Sequence, residues 1–107
     1  MSTAVSFKMI DEARSAALSE LRDEANLADL ADDSKFPELL NKSQTVFEMS
    51  DDEVADIFMV SRPTINRWSN GKSLPHRRVR KAMFTWIADT ASKRLRIVKK
   101  RRAAAVG

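Results

Sequence analysis

The chain has 107 residues, of which 43% are hydrophobic and 32% charged, so it can form one domain with a small core. It contains no cysteine, one histidine and two glycines, which excludes disulfide scaffolds, zinc–thiolate and multi-histidine metal sites, thiol nucleophiles and glycine-rich phosphate loops. The formal net charge is +4, and with those sites excluded we expect neither an enzyme nor a protein that holds a metal or cofactor.

The apolar pattern predicts helices along the whole chain, because no window alternates apolar and polar residues as a strand would. The first helix is predicted over residues 4–31, with Ser2 or Thr3 as the cap at its start. Its pattern loosens beyond Glu24. The face predicted to point inward carries apolar residues about four positions apart: Val5, Met9, Ala13, Ala16 or Ala17, and Leu21.

The second helix is predicted after a linker at residues 32–34, and Pro37 suits its first turn. It should end near Met49. Its inward residues are Leu39, Leu40 and Phe47.

The third helix is predicted to be short, roughly residues 51–58. Ser50 and Glu53 have the spacing of a capping box, in which each side chain binds the backbone amide of the other residue. Acidic residues in the first turn also favour the positive end of the helix dipole. The apolar side carries Val54, Ala55 and Phe58.

Residues 59–61 break the pattern, and a fourth helix is predicted from near Pro63 to about Ser69, with Ser61 or Arg62 as its cap. Asn70-Gly71 is a typical end for such a helix. Pro75 is predicted to open the last helix, which continues to residue 98 before a frayed tail at 99–107. Its predicted apolar face carries Val79, Met83, Trp86 or Ile87, Thr90 or Ala91, and Leu95.

Two short helices joined by a tight turn are typical of a helix-turn-helix. At 100° per residue, Ile65 and Trp68 lie on one side of the second short helix. The opposite side carries Pro63, Asn66, Arg67 and Asn70. Guanidinium and amide groups can bind base edges in the major groove, Arg to guanine and Asn to adenine, so this side is predicted to contact double-stranded DNA. Trp68 and Trp86 are expected in the core, and His76 near a helix start.

Residues 51–75, DDEVADIFMVSRPTINRWSNGKSLP, resemble the helix-turn-helix of phage-repressor and Cro-type regulators, also called xenobiotic-response-element-type regulators. The likeness includes a small residue at Ala55, where the two helices cross, and apolar residues at Val60 and Ile65. It extends to the flanking helices at 36–48 and 76–92. Met59 departs from it, because the family usually has a glycine with positive φ there, and a methionine costs about 1 kcal/mol in that conformation.

The resemblance implies a small helical bundle of the lambda-repressor-like type, here with an extra N-terminal helix and a long C-terminal helix. We divide the chain into an acidic helical extension (1–33), a DNA-binding domain (34–98) and a basic tail (99–107). The implied function is that of a bacterial or phage transcriptional regulator, which binds duplex DNA sequence-specifically as a homodimer on a palindromic site.

The resemblance also implies individual roles. The positions that match base contacts are Arg62, Pro63, Asn66 and Arg67. Those that match phosphate contacts around the helix are Ser61, Thr64, Asn70 and Lys72. Family members often have a glutamine where Asp51 stands, and that role is not carried over, because phosphate would repel an aspartate.

Charge is distributed very unevenly. Residues 1–57 hold five Lys or Arg against fourteen Asp or Glu, whereas residues 58–107 hold fourteen Lys or Arg against one acid. Seven of the ten residues in 93–102 are basic, and with Arg77, Arg78, Arg80 and Lys81 they favour contact with DNA phosphates. The same run could instead be a solvated tail, a membrane- or RNA-binding segment, or a helix-pairing seam through its apolar residues.

The acidic segment 1–31 is open to several interpretations. It could pack against the domain, form a dimer interface, bind a protein partner such as a polymerase or a toxin, or fold over the basic half as an inhibitor. Two alternative functions follow: an antitoxin that joins a DNA-binding helix-turn-helix to a toxin-binding segment, or an adaptor whose helix pair binds protein.

No apolar run approaches the roughly 20 residues that a membrane-crossing helix needs. Residues 1–12 also lack the basic start and apolar stretch of a signal peptide. We therefore expect a cytoplasmic protein without membrane contact.

Overall fold

A computed structural model describes the backbone of residues 3–106 and the side chains of residues 9–101, 103 and 104. Within this range the chain is all-helical and contains no strand, as the sequence predicted. Its five helices are α1 (Thr3–Leu27), α2 (Lys35–Phe47), α3 (Asp51–Phe58), α4 (Arg62–Ser69) and α5 (Arg77–Val106).

The core is built around α2. Phe36 lies edge-on to Trp68 and tilted against Phe84, with ring centroids 6.0 Å apart in both pairs. Leu39 and Leu40 are also fully buried, and each such side chain contributes about 1.5–3 kcal/mol through its removal from water. The second helix therefore joins α4 to α5, which fixes the position of α4 in the molecule.

Helices α1 and α5 lie antiparallel. The start of α5 lies near the end of α1: Arg80 of α5 donates a hydrogen bond to the carbonyl of Leu30, three residues after α1 ends. At the other end, Ile10 of α1 and Ile97 of α5 line the same groove. Among its described side chains, the buried residues of α1 are Leu18, Leu21 and Ala25.

The predicted inward face of α1 was wrong in its N-terminal half. Met9 is 64% exposed and Ala13 is exposed as well, whereas of the alternatives Ala16 and Ala17 the second is half-buried, and Leu21 is buried as predicted. The reason is that residues four positions apart on a helix are rotated by 40° relative to one another, so the predicted stripe drifts around α1 and Met9 lies 180° from the buried Leu18. The helix also ends at Leu27 rather than at residue 31. Val5 and the predicted cap at Ser2 or Thr3 lie outside the described side chains.

The contact between α1 and α2 includes an ion-pair cluster. Lys42 pairs with Glu24 and, at 3.4 Å, with Glu20. The hydrogen bond to the Glu24 carboxylate is the main reason that the pKa of Lys42 lies above its ordinary value of 10.5.

Two loops are joined by Arg80, which the sequence placed on the basic surface. Its side chain is only 11% exposed, and its Nη1 lies 2.8 Å from Oδ1 of Asp33. Its Nε donates to the carbonyl of Pro75 at 2.9 Å. Arg80 therefore holds the predicted linker at 32–34 against the start of α5. In the same linker, hydrogen bonds from the side chain and backbone of Ser34 lower the pKa of Asp32.

The last helix differs from its prediction at both ends. It begins at Arg77, two residues after Pro75, and Nδ1 of His76 accepts a hydrogen bond from the Arg78 backbone at 3.1 Å. Val79, predicted to point inward, is 38% exposed. The predicted fraying from residue 99 was also wrong, because the helix continues to Val106. Leu95 and Val98 pack in the core, and the alanines that follow favour helix.

Of the helices that the structure describes, none combines the length and apolar character needed to span a membrane.

Candidate nucleic-acid interface

Helix α3 begins with the predicted capping box. The side chain of Ser50 accepts a hydrogen bond from the Glu53 amide at 3.2 Å, and the Glu53 carboxylate accepts one from the Ser50 amide at 3.2 Å. Val54 and Ala55 are buried, which anchors α3 on the core. The helix covers residues 51–58 as predicted, and the sequence signals for its start and its apolar side were sufficient to locate it.

The turn between α3 and α4 consists of residues 59–61. Met59 has φ 56° and ψ 42°, the left-handed conformation that favours glycine. The amide of Val60 donates to the carbonyl of Ala55 at 3.0 Å, which closes the end of α3. The Met59 side chain is 92% exposed, so packing does not offset the backbone strain.

Ser61 and Thr64, two predicted phosphate contacts, form the start of α4. The side chain of Ser61 accepts from the Thr64 amide at 3.2 Å, and the two hydroxyl oxygens lie 2.8 Å apart. Ser61 is exposed and Thr64 is half-buried. The Ser61 hydroxyl therefore serves as the helix cap, and the Thr64 hydroxyl is its hydrogen-bond partner.

The inward side of α4 is formed by Ile65 and Trp68, which are 0% and 9% exposed. Trp68 is thus a core residue, as predicted. Trp86 is half-buried and lies edge-on to Phe47 and Phe58, with centroid distances of 5.6 and 5.3 Å. These indoles pack among other aromatic rings.

The end of α4 is fastened by a residue that the sequence analysis missed. Nδ2 of Asn41 on α2 donates to the carbonyl of Ser69 at 2.6 Å and to that of Pro37 at 2.9 Å. Nothing in the local pattern around Asn41 indicates a partner 28 positions away. The turn after α4 has the predicted form, with Gly71 at φ 69°.

The outward side of α4 carries all four predicted base contacts, and each is exposed: Arg62, Pro63, Asn66 and Arg67. Their polar contacts are local. Arg67 donates to the Thr64 hydroxyl at 3.3 Å, and Arg62 lies 4.0 Å from Asp52, with both side chains 69% exposed. Such exposed contacts contribute little free energy and can be exchanged for contacts with a ligand.

The remaining predicted phosphate contacts surround α4. Asn70, at its end, is exposed and donates to the Asn66 carbonyl at 2.9 Å. Lys72 follows in the next turn, while Arg77 and Arg78 begin α5, and all three are exposed. Arg78 and Trp68 line one open cleft of about 540 Å³ between α3, α4 and α5, so the start of α5 lies beside α4.

Further along α5, the exposed basic residues are Lys93, Arg96, Lys99, Lys100 and Arg101. Arg94, predicted in the same basic run, does not belong to this surface. Its Nη1 donates to the Phe47 carbonyl at 3.0 Å, and its guanidinium lies 4.8 Å from the centre of the Phe47 ring. It therefore caps the end of α2.

Apart from Asp89 on α5, the acidic residues precede α4 in the chain. Helix α3 carries four carboxylates and no Lys or Arg. Asp51 accepts a hydrogen bond from Nε2 of Gln44 at 2.8 Å, so it braces α2 against α3. Positive charge is thus concentrated on α4 and α5, and a polyanion would approach these helices.

The described residues contain no group of three or more His, Cys, Asp or Glu that could hold a metal ion. Comparisons of this chain with protein-family models, with curated proteins and with solved structures found no match. Function therefore has to be inferred from the residues and their arrangement.

Proposed function

We propose that this protein is a sequence-specific regulator that binds duplex DNA through a helix-turn-helix formed by α3 and α4, in a bundle of the lambda-repressor-like type. One observation carries this proposal above all. Ile65 and Trp68 anchor α4 in the core, while the side chains proposed to contact bases are all exposed on its other side. A helix held in this way can enter the major groove without losing its packing.

Base selection comes from side chains with directional hydrogen bonds. Arg67 can bind two acceptors of guanine, and Asn66 can bind an acceptor and a donor of adenine. Each such pair discriminates against a wrong base by about 1–3 kcal/mol. Arg62 and Pro63 lie in the first turn of α4, the part of a recognition helix that approaches base edges.

Phosphate contacts surround that helix. Lys72, Arg77 and Arg78 supply cations on the two segments that follow α4. Ser61, Thr64 and Asn70 contribute hydroxyl and amide groups at its ends. These groups set the register of the protein on the duplex, and they make the affinity depend strongly on salt.

A single short helix reads few base pairs, so the protein acts as a homodimer on a palindromic site, with half-sites about one DNA turn (roughly 34 Å) apart. Regulation of transcription then follows from the position of that site relative to a promoter.

The test is a selection of bound sequences from random duplexes, followed by fluorescence-anisotropy titrations of the selected and a scrambled duplex at two salt concentrations. We expect a two-fold symmetric consensus and tight, salt-dependent binding. No enrichment, together with equally weak binding of both duplexes, would overturn the proposal and favour a helix pair that binds protein.

A further inference from the structure

The N-terminal half of α1 and the C-terminal half of α5 extend beyond the end of α2 and enclose an open groove of about 570 Å³. Ile10 and Ile97, on its two walls, are 47% and 56% exposed, which is unusual for side chains so apolar. Apolar residues from three helices line this groove: Ile10, Ala13, Ala17, Val46, Ile97 and Val98.

The groove continues a crevice that a helix already fills. Nearer the core, α2 lies between α1 and α5: Lys42 pairs with Glu20 and Glu24 of α1, and Arg94 of α5 binds the Phe47 carbonyl. Helix α2 ends at Phe47, and Glu48 turns the chain away with φ 56°. Beyond that point the same two walls continue without a third helix, so the groove has the shape for one.

The charge of the walls changes sign along this crevice. Where α2 lies, α1 presents the acids Glu20 and Glu24 to a lysine. Beyond its end, the described residues of the lining include Arg14 and Arg101 on the two walls and one acid, Glu48, while Arg94 is held on the Phe47 carbonyl. Arg14 and Arg101 form no ion pair with any residue whose side chain the structure describes.

We propose that this groove binds an acidic amphipathic helix of a partner protein. The apolar face of that helix packs on Ile10 and Ile97, and its carboxylates meet Arg14 and Arg101. A second copy of this chain fits poorly, because an interface that uses the same groove twice brings Arg14 and Arg101 of both copies together, with Glu48 as the one acid among the described lining residues of each copy. The site is independent of α4, so the protein can hold a partner while it binds DNA.

The test measures binding of a labelled synthetic peptide by fluorescence anisotropy with the full chain. The peptide is a helix of about four turns (roughly 14 residues) with leucines on one face and glutamates beside them. One control peptide has lysine in place of each glutamate, and another has the same composition with the leucines scattered. We expect the acidic amphipathic peptide to bind at least about tenfold more tightly than either control.

Matched variants locate the site. Ile97→Asp should weaken peptide binding at least about tenfold, because it puts a charge on the apolar wall. Met9→Asp changes a residue of similar exposure that does not line the groove, and it should have no effect. Arg101→Glu should weaken binding of the acidic peptide and strengthen binding of the lysine peptide. Circular dichroism of each variant verifies that the helices are retained.

Three results would overturn the proposal: no preference for the acidic peptide, equal losses for Met9→Asp and Ile97→Asp, or an unchanged ranking of the peptides in Arg101→Glu. Light scattering tests the rival occupant, because conversion of a dimer into a monomer by Ile97→Asp would assign the groove to a second copy. The selected duplex is titrated with Ile97→Asp, because Ile97 is not among the residues proposed to contact DNA. Loss of peptide binding with intact DNA binding separates this proposal from the proposed function.

Discussion

Neighbouring side chains on one helix, Asn66 and Arg67, supply the hydrogen-bonding groups from which we infer base recognition. Both are exposed, and their side chains bind near neighbours in the sequence: Arg67 donates to Thr64, while Asn66 accepts from Asn70. These local bonds hold the side chains near the helix surface, and DNA can replace them at little cost because water already competes for them.

Arg67→Ala should therefore reduce specificity more than general affinity. We expect a loss of about 1–3 kcal/mol on the selected duplex and a much smaller loss on a scrambled one, because a base contact is lost. Anisotropy titrations with both duplexes measure this difference. Arg22→Ala, which removes one charge from α1, is the matched control and should leave the ratio unchanged. Equal weakening on both duplexes would assign Arg67 to phosphate.

The strained turn at Met59 leads to a stability prediction. Met59→Gly should raise the free energy of unfolding by about 1 kcal/mol, because glycine adopts φ 56° without the clash of a Cβ atom. Urea denaturation measures the change. Met59→Ala keeps the Cβ and removes the rest of the exposed side chain, so it should leave stability nearly unchanged. A similar gain in both variants would show that the side chain, not the backbone, is unfavourable.

At the scale of an element, α4 is a short helix that depends on its packing. It has eight residues, too few to be stable alone, and only Ile65 and Trp68 are buried. Asn41 and the Ser61 cap bind its two ends. The recognition surface therefore exists only while the inward side of the helix is in place.

Trp68→Ala should destabilise the domain by about 3–5 kcal/mol, because it leaves a cavity beside Phe36. Thermal unfolding followed by circular dichroism should show a large fall in the midpoint. Trp68→Phe keeps an aromatic ring there and should lose less, while Pro63→Ala on the exposed side should change stability little. A stable Trp68→Ala protein that fails to bind DNA would instead place this indole at the bases.

Local signals in the sequence were enough to predict α3 and α4. Each signal affects only the backbone within a few residues of it: the capping box at Ser50, the proline in the first turn of α4, and Gly71 after that helix. The exposure of the proposed base contacts followed from helical geometry once Ile65 and Trp68 were placed inward.

Features set by distant contacts could not be predicted in this way. Arg80 and Arg94 resemble the other cations of their helix, yet each binds a carbonyl about 50 positions away. The exposure of Ile10 depends on where α2 ends, because this residue lines the groove beyond that point. No local pattern contains that information.

In the whole molecule, α5 runs from the recognition region at its start to the basic residues near its C-terminal end. Arg78 and Arg96 lie 18 residues apart, which is a whole number of helical turns, so they share one side of α5 about 27 Å apart. That separation is less than one turn of DNA. The phosphates of a duplex held by α4 could therefore contact the basic residues along this side of α5.

The salt dependence of binding tests this arrangement. With about six phosphates neutralised, the logarithm of the association constant should fall with a slope of roughly −5 against the logarithm of salt concentration. The triple variant Lys93→Gln, Arg96→Gln and Lys100→Gln should reduce that slope by about 1–3 and weaken all duplexes alike. These residues are exposed, so the variant keeps the contact between α1 and α5 that a truncation at Ser92 would remove.

Arg22→Gln and Lys35→Gln, which remove charges outside α5, should leave the slope unchanged. An unaltered slope in the triple variant would show that the distal half of α5 does not contact phosphates, and that α4 and the start of α5 account for DNA binding by themselves.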